Sequence, residues 1–461
     1  MAKDQEKCGD TVARSLEERL ARGKQLRQSA ARSAHGLWKP SDDRPDPVAM
    51  LVESSRGRLE SLVPTRYARM LTSPFAFFRG SARAMGFDLA STPVSGLRVQ
   101  LCGDCHLGNF GGFATPERRL IFDLMDFDET IPGPWEWDVK RLGASFHLAG
   151  RDIGLGEANC EEAVLTVGRA YRQRLSEFAR MKTMDVFYAS IDADAFVTQA
   201  RDARTRKRRE QTVAKARKRT SEHFFARSVR IVAGRPRIAD EPPFLFHPPQ
   251  TDSLDADFRA AFEAYKALLP DHLRFLLRRF DVLDVAMKVV GVGSVGMRCG
   301  IILLMAGDED PLILQIKEAR HSALEPFVGR SRYENMGQRV VAGQRLLQSA
   351  SDIFLGWGAE ASGRHYYIRQ LRDMKKGPEI ESFWARRLID AADVCGWTLA
   401  RAHARSGDAA TISGYLGKSD AFDQALAAFS RAYADQSEQD HQAMRHAVKS
   451  GKLVVEETAA A

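Results

Sequence analysis

A chain of 461 residues, 44% hydrophobic and 28% charged, can bury a large core and divide into two lobes or more; its composition is that of an ordinary soluble globular protein. No apolar run is long enough to span a bilayer, and the opening "MAKDQEKCGDTVARSLEERL" lacks the apolar core of a signal peptide, so a cytoplasmic protein with no membrane partner is expected. The net charge of +8 suits anionic partners, and its excess is concentrated in residues 201–220, with ten Lys or Arg in twenty. Nucleic-acid contact is one reading of that segment. No aromatic residue interleaves it for base stacking, so a solvated helix face is preferred.

Residues 11–35 have the pattern of a charged helix, and "LWKPSDDRPDPVAML" (37–51) reads as a Pro/Asp-rich linker. Short helices ending at Pro64 and Pro74 are predicted next; Arg79, after the aromatic cluster in "SPFAFFRGSA", is assigned by default to packing, with a buried ion pair or a phosphate contact as alternatives. Strands are predicted at 97–104 and 118–129, with "GGFATPE" between them as a hairpin connection. From "WDVKRLGASFHLAGR" to about residue 230 apolar residues recur at helical spacing, and "IADEPPFLFHPP" (238–249) is a Pro-rich break. Next come a helical stretch (254–280), a strand-rich region (282–320), a helix (334–350), a strand (365–373) and a helical tail. Strands thus cluster at 97–128 and 282–373, which predicts an α+β protein with one sheet-rich and one helical lobe.

The stretch "LCGDCHLGNFGGF" (101–113) admits three readings. Cys102-x-x-Cys105-His106 is a haem-attachment pattern, but such attachment follows export and no export signal is seen. A redox pair should open a helix, whereas Gly108, Gly111 and Gly112 break one. The remaining cysteines (Cys8, Cys160, Cys299, Cys395) are scattered, which argues against a disulfide framework. The third reading is a phosphoryl-transfer loop. Asp104 and Asn109 stand five residues apart, the spacing of a catalytic base and a metal-binding Asn in kinase loops. Asp126 in "LMDFDET" stands at a strand end, where a second magnesium ligand is needed. Asp123 is its rival, but alternation sends it to the opposite face; Asp128 and Glu129 read as solvated.

Phosphoryl transfer also needs a flexible turn and a lysine for the phosphates. Gly291-x-Gly293-Ser294-x-Gly296 lies between two predicted strands, not before the helix that a dinucleotide fold requires. Strand, Gly loop, strand, turn and a strand with Lys317 is the order of a kinase nucleotide lobe. Glu325 is the chosen carboxylate partner of Lys317, with Glu318 and Glu334 as alternatives. Gln370 and Leu371, in the strand "HYYIRQLRD", would lie near an adenine. His403 and His441, on helices, read as packing or surface residues.

"CGDCHLGNF" resembles the "HGDLHPGN" loop of aminoglycoside phosphotransferases and choline kinases, and "DFDETIPGPWEWDVKRL" resembles the stretch just after that loop in the same enzymes. The resemblance implies Asp104 as catalytic base, Asn109 and Asp126 as magnesium ligands, Asp138 as a brace and His106 as a loop organiser, with ATP and magnesium as cofactors and a small-molecule acceptor. Cys102 replaces the first His of that loop. "GWTLARAHARSGD" (396–408) resembles the helix that precedes the loop in those enzymes. Loop before lysine, and lead-in helix last, is the order of a circularly permuted kinase-like fold. The expected division is 1–250 for the first part of the helical lobe, 251–375 for the nucleotide lobe and 376–461 for the closing helices. "RYARMLTSPFAFFRGSA", "QIKEARHSALE" and "GQRVVAGQRLLQSASDIFLGW" add a resemblance, over nearly the full chain, to the bacterial family catalogued as domain of unknown function 2252. A regulator that binds nucleotide or nucleic acid without turnover, and a nucleotidyltransferase, are the alternative readings.

Overall fold

The computed structural model describes residues 14–198, 202–249, 253–307, 310–371 and 374–456. The start of the 11–35 helix, part of the turn "GDEDP" and the end of the 365–373 strand lie outside them. The fold is mixed α+β, mostly helical, and its strands pair antiparallel. Among the described residues no helix is long and apolar enough to cross a membrane.

The largest sheet has six strands in the order Gly356–Ala359, His365–Gln370, Asp310–Ala319, Cys299–Ala306, Asp281–Lys288 and Leu245–Phe246. "IILLM" and "PLILQI" are apolar without alternation because both faces of this sheet are covered. One face packs Ile302, Leu304 and Leu314 against Phe258, Phe262 and Tyr265 of the helix Leu254–Leu268. The other packs Ile301, Leu303 and Ile313 against Phe224, Val229 and Ile238.

The largest core cluster centres on the helix Trp135–Asp152, buried almost all round. Helices Glu157–Phe178, Ala385–Ser406 and Ala421–Lys449 surround it, so residues from both halves of the chain share one core. Near the start of the described chain, Leu16–Gln25 opens with a Ser15–Glu18 capping box and lays Gly23 directly on Thr411 of the helix Ala409–Leu416. Arg19 pairs with Asp408, and Arg27 donates to the carbonyls of Gly414 and Tyr415.

Three local readings are corrected. Pro64 and Pro74 lie at the starts of Val63–Leu71 and Pro74–Arg79, not at helix ends, because the first turn has no use for the missing N–H. Likewise Asp46 and Pro47 cap and open the helix Pro47–Ser55 inside the supposed linker. Finally, Arg98–Leu101 pairs with Ile131–Pro134, while Leu120–Leu124 pairs with Phe110–Ala114. The glycines read as a connection are a strand, and the turn falls at 115–119.

Candidate functional site

The strand Arg98–Leu101 delivers the chain into a loop held by one face of the helix Trp135–Asp152. Positions three and four apart on a helix share a face, and here Asp138, Arg141 and Ser145 use that spacing. Asp138 accepts the N–H groups of Cys102 (2.8 Å) and Gly103 (3.1 Å), and Ser145 Oγ accepts that of Leu107 (3.0 Å). Arg141 Nε donates to Asp104 Oδ1 at 2.6 Å. Behind the loop, His403 Nε2 lies 3.2 Å from Asp138 Oδ2 and its Nδ1 2.8 Å from the Tyr171 hydroxyl, so His403 is a packed core residue that supports the brace.

Asn109 closes the loop: its Nδ2 donates to the Asp104 carbonyl at 2.7 Å, which leaves the amide oxygen free for a cation. The Met125 N–H donates to the Asn109 carbonyl at 2.8 Å and so places the next residue, Asp126, beside the loop. The Asp126 carboxylate accepts from the Asp128 N–H at 3.3 Å. Burial raises the Asp104 carboxyl above its ordinary value; Arg141 opposes the rise and Asp126 adds to it. His106, whose Nε2 is 3.7 Å from Asp104 Oδ2, is driven far below its ordinary value by burial and by Arg79 and Arg141, so it is neutral. Asp123 is on the other face, paired with Arg401 and accepting both the N–H and the hydroxyl of Ser349 at 2.8 Å.

The sheet approaches from the opposite side. Lys317, on Asp310–Ala319, forms an ion pair with Asp128, which also accepts from Ser294 Oγ (3.2 Å) and from the Tyr367 hydroxyl (2.8 Å). Burial alone would raise the Asp128 carboxyl, but the Lys317 ammonium and the Tyr367 hydroxyl hold it below the ordinary value. Burial acts against the Lys317 charge, and Asp126 and Asp128 together raise it well above the usual ammonium range. The turn carrying Ser294 links the strands Asp281–Lys288 and Cys299–Ala306 and is clamped from outside: Arg69 donates to Val290 and Arg58 to Val295, both at 2.6 Å. Gly296 sits there at φ +83°, where side chains are strained, while Gly291 and Gly293 face Arg79.

Asp128 is therefore no solvated turn residue, and it takes the role expected of Glu325. Glu325 instead pairs with His321 at 2.8 Å and accepts the Ser331 N–H at 3.2 Å, on the short helix Glu325–Val328. Leu371 shares the sheet face of Lys317, Tyr367 and Arg369, but its side chain is packed against Ile301 and Ile313, and its N–H donates to the Ile313 carbonyl at 2.9 Å. Gln370 pairs with Leu314 on the alternate face, at the rim of a cavity of about 40 Å³ shared with Met125, Arg369 and Lys375. That volume does not hold a purine base.

Four cations converge near Asp126. Lys317 was expected and Arg79 was weighed as a phosphate contact behind a default of packing; Arg369 and Lys375 were not expected. Arg369 Nη1 and Lys375 Nζ lie 3.1 and 3.4 Å from the Met125 carbonyl. Burial, then Arg369, lowers the Lys375 ammonium to about 7. The Arg79 guanidinium lies between the two glycine turns, its Nε 3.5 Å from where a Cβ on Gly108 would sit and its Nη2 3.9 Å from one on Gly291. Its Nε is buried without a hydrogen-bond partner. Burial lowers its charge from the ordinary value, with Asp104 and Asp126 among the groups opposing that. A signal for Arg79 existed in the sequence, since a cation directly after a run of aromatics has to be desolvated for a reason.

Cys102 and Cys105 are buried, and their thiol sulfurs lie with an Asp138 oxygen in one cluster within 4.8 Å. Burial pushes the Cys105 thiol up to about 11 and the Cys102 thiol further, so neither is a ready thiolate. Asp138 is already committed to two N–H groups and His403. The pair is loop packing, with its sulfurs turned away from solvent.

What the architecture and the site define is a mixed α+β protein whose acidic loop and sheet lysine meet in one half-buried cluster. The chain belongs to the bacterial family described as uncharacterized protein conserved in bacteria (DUF2252), whose model matches residues 58–447 and so spans every site residue named above. No curated protein and no solved structure matches it.

Proposed function

We propose that this protein is an ATP- and magnesium-dependent phosphotransferase built on a circularly permuted, two-lobed kinase-like framework. One observation carries the reading: Asp128, two residues beyond Asp126, receives Lys317, Ser294 of the glycine turn and Tyr367, which joins elements distant in sequence into one acidic and basic cluster. The permuted connection is supported by the end of the helix Ala385–Ser406, where Ser406 Oγ accepts the Gln100 N–H at 3.2 Å, and by the packing of the first described helix on Ala409–Leu416. The helix that resembles the lead-in to the loop therefore ends against the strand that enters it. On this reading 1–250 and 376–461 supply the helical lobe and 251–375 the nucleotide lobe, except that the sheet also takes the strand Leu245–Phe246 and is covered by residues of 221–238.

The donor set fits magnesium: an uncommitted amide oxygen of Asn109 and a lightly bonded Asp126 carboxylate are hard oxygen ligands. The bound ion would neutralise charge on the transferred group. Asp104, oriented by Arg141, would hold and deprotonate the acceptor hydroxyl, while Arg79 and Lys317 would hold phosphate oxygens. Calorimetry with ATP, with and without magnesium, tests this on wild type, Asp126→Ala and Lys317→Ala. Magnesium-dependent binding lost in both variants is expected. Absence of nucleotide binding by wild type, or equal binding by the variants, overturns the reading. The released product, ADP or pyrophosphate, separates phosphoryl from nucleotidyl transfer.

A further inference from the structure

A large cavity lies beside this cluster, not within it. It measures about 660 Å³ and is enclosed by the helix Ala203–Arg217, the segment 376–384 with the start of Ala385–Ser406, and the hairpin of Phe110–Ala114 and Leu120–Leu124. That volume is in the range that takes a whole small molecule. Its walls combine two chemistries. Phe110, Phe122, Phe383 and Trp384 supply an apolar lining, and Trp384 keeps 42% of its surface exposed. Seven basic side chains line it against three acidic ones.

Two of the cations are posed on the aromatic wall. The Arg208 guanidinium lies 4.4 Å from the Trp384 ring centre, and Arg387 lies 4.5 Å from that of Phe383 and 5.7 Å from that of Trp384. Arg208 has no carboxylate partner among the described residues. Burial and the neighbouring Arg208 charge both weaken the Arg387 guanidinium, with Glu379 opposing them. Two like charges on one indole are an unfavourable arrangement that an anion between them relieves.

We propose that this cavity binds an amphipathic organic anion, an aromatic or alkyl body seated on Phe122, Phe383 and Trp384 with a carboxylate, phosphate or sulfonate between Arg208 and Arg387. The basic rim repels cationic molecules, so the site selects by charge as well as by shape. It also gives the basic segment a role other than nucleic-acid contact: its helix is one wall of a small-molecule pocket.

The test uses the full chain, with anilinonaphthalene sulfonate as the anionic probe and phenylnaphthylamine as its neutral counterpart, in a fluorescence titration. Saturable binding of one sulfonate per chain is expected, and Arg208→Gln with Arg387→Gln should weaken it at least about ten-fold while leaving the neutral probe unchanged. Trp384→Ala should weaken both probes, and laurate should displace the sulfonate. Lys317→Ala should keep sulfonate binding, so the pocket is tested independently of the nucleotide reading. Thermal melts of the same samples identify a variant that has simply unfolded; Trp384→Ala, with the Arg pair intact, then supplies the second reading. Equal binding of both probes by wild type, or sulfonate affinity in a folded Arg208→Gln/Arg387→Gln variant within about two-fold of wild type, overturns the proposal.

Discussion

Replacing Asp128 by Asn removes one charge from the cluster and almost no volume. The amide can still meet Tyr367 and Ser294, so the main loss is the partner of a Lys317 side chain that is only 3% exposed. Breaking a buried ion pair from one side costs about 3–5 kcal/mol, because the remaining charge stays desolvated. Asp126 remains near the ammonium, so the expected cost is at the lower end, about 3 kcal/mol. Urea unfolding monitored by tryptophan fluorescence reads this difference. The double variant Asp128→Asn with Lys317→Met should recover most of it, giving a coupling energy of about 1–3 kcal/mol. The pH dependence has a definite sign. The folded carboxyl is held below its ordinary value of 3.8, so its contribution is complete above that pH and disappears as pH falls through the folded value. Wild type and Asp128→Asn should therefore converge in stability on acidification. If the single variant costs less than about 0.5 kcal/mol at neutral pH, or the double variant is as unstable as the sum of the singles, Asp128 and Lys317 do not form a desolvated pair.

Other consequences can be checked separately. Gly103 has φ +88° and a Cβ there would lie 2.1 Å from the Glu129 carbonyl oxygen; Gly103→Ala should cost at least about 2 kcal/mol in urea unfolding and displace Asp104 from Arg141. Arg79→Ala should leave the melting temperature nearly unchanged yet weaken magnesium-ATP binding about ten-fold or more by calorimetry, whereas a large fall in stability would make it a packing residue. His247 is 2.7 Å from Asp240 and 3.0 Å from Asp284, and these hydrogen bonds, with burial opposing them, raise its pKa above the ordinary 6.5. Its stabilising contribution is complete below that value and lost as pH rises through the folded one; hydrogen exchange at residues 239–247 should accelerate over that rise, and in His247→Gln it should lose that step.

How far the sequence could be read depended on how local each signal was. Asp104, Asn109 and Asp126 fall within one stretch; Asp123 goes to Arg401, while Asp126 lies beyond the end of the strand Leu120–Leu124, where strand alternation does not apply. Lys317 was legible as a lysine in an apolar strand, but its partner was not, because Asp128 is 189 residues away and only the folded chain brings the two together. Choosing Glu325 relied on proximity along the chain, and proximity in the fold overruled it. The strand Phe110–Ala114 was hidden by its own glycines, which read as turn residues until Leu120–Leu124 pairs with them. The strand Ile131–Pro134, partner of Arg98–Leu101, was hidden by two prolines. Leu371 shows the converse limit: it lies on the face of Lys317, but Ile301 and Ile313 bury it in the core, which only the folded register reveals.

The brace behind the loop also fixes when the loop can exist. Asp138 waits for His403, 265 positions later, and Gln100 waits for Ser406, 306 positions later. At about 5–20 residues per second on the ribosome, roughly 15–60 s separate synthesis of the loop from synthesis of its support. Nascent chains that stop before residue 385 carry every acidic residue of the cluster and the helix Trp135–Asp152 that holds the loop, but not the helix whose His403 and Ser406 back it. The loop thus gains its last support only after roughly 250 further residues have been made, and shortened products carry the loop without that backing.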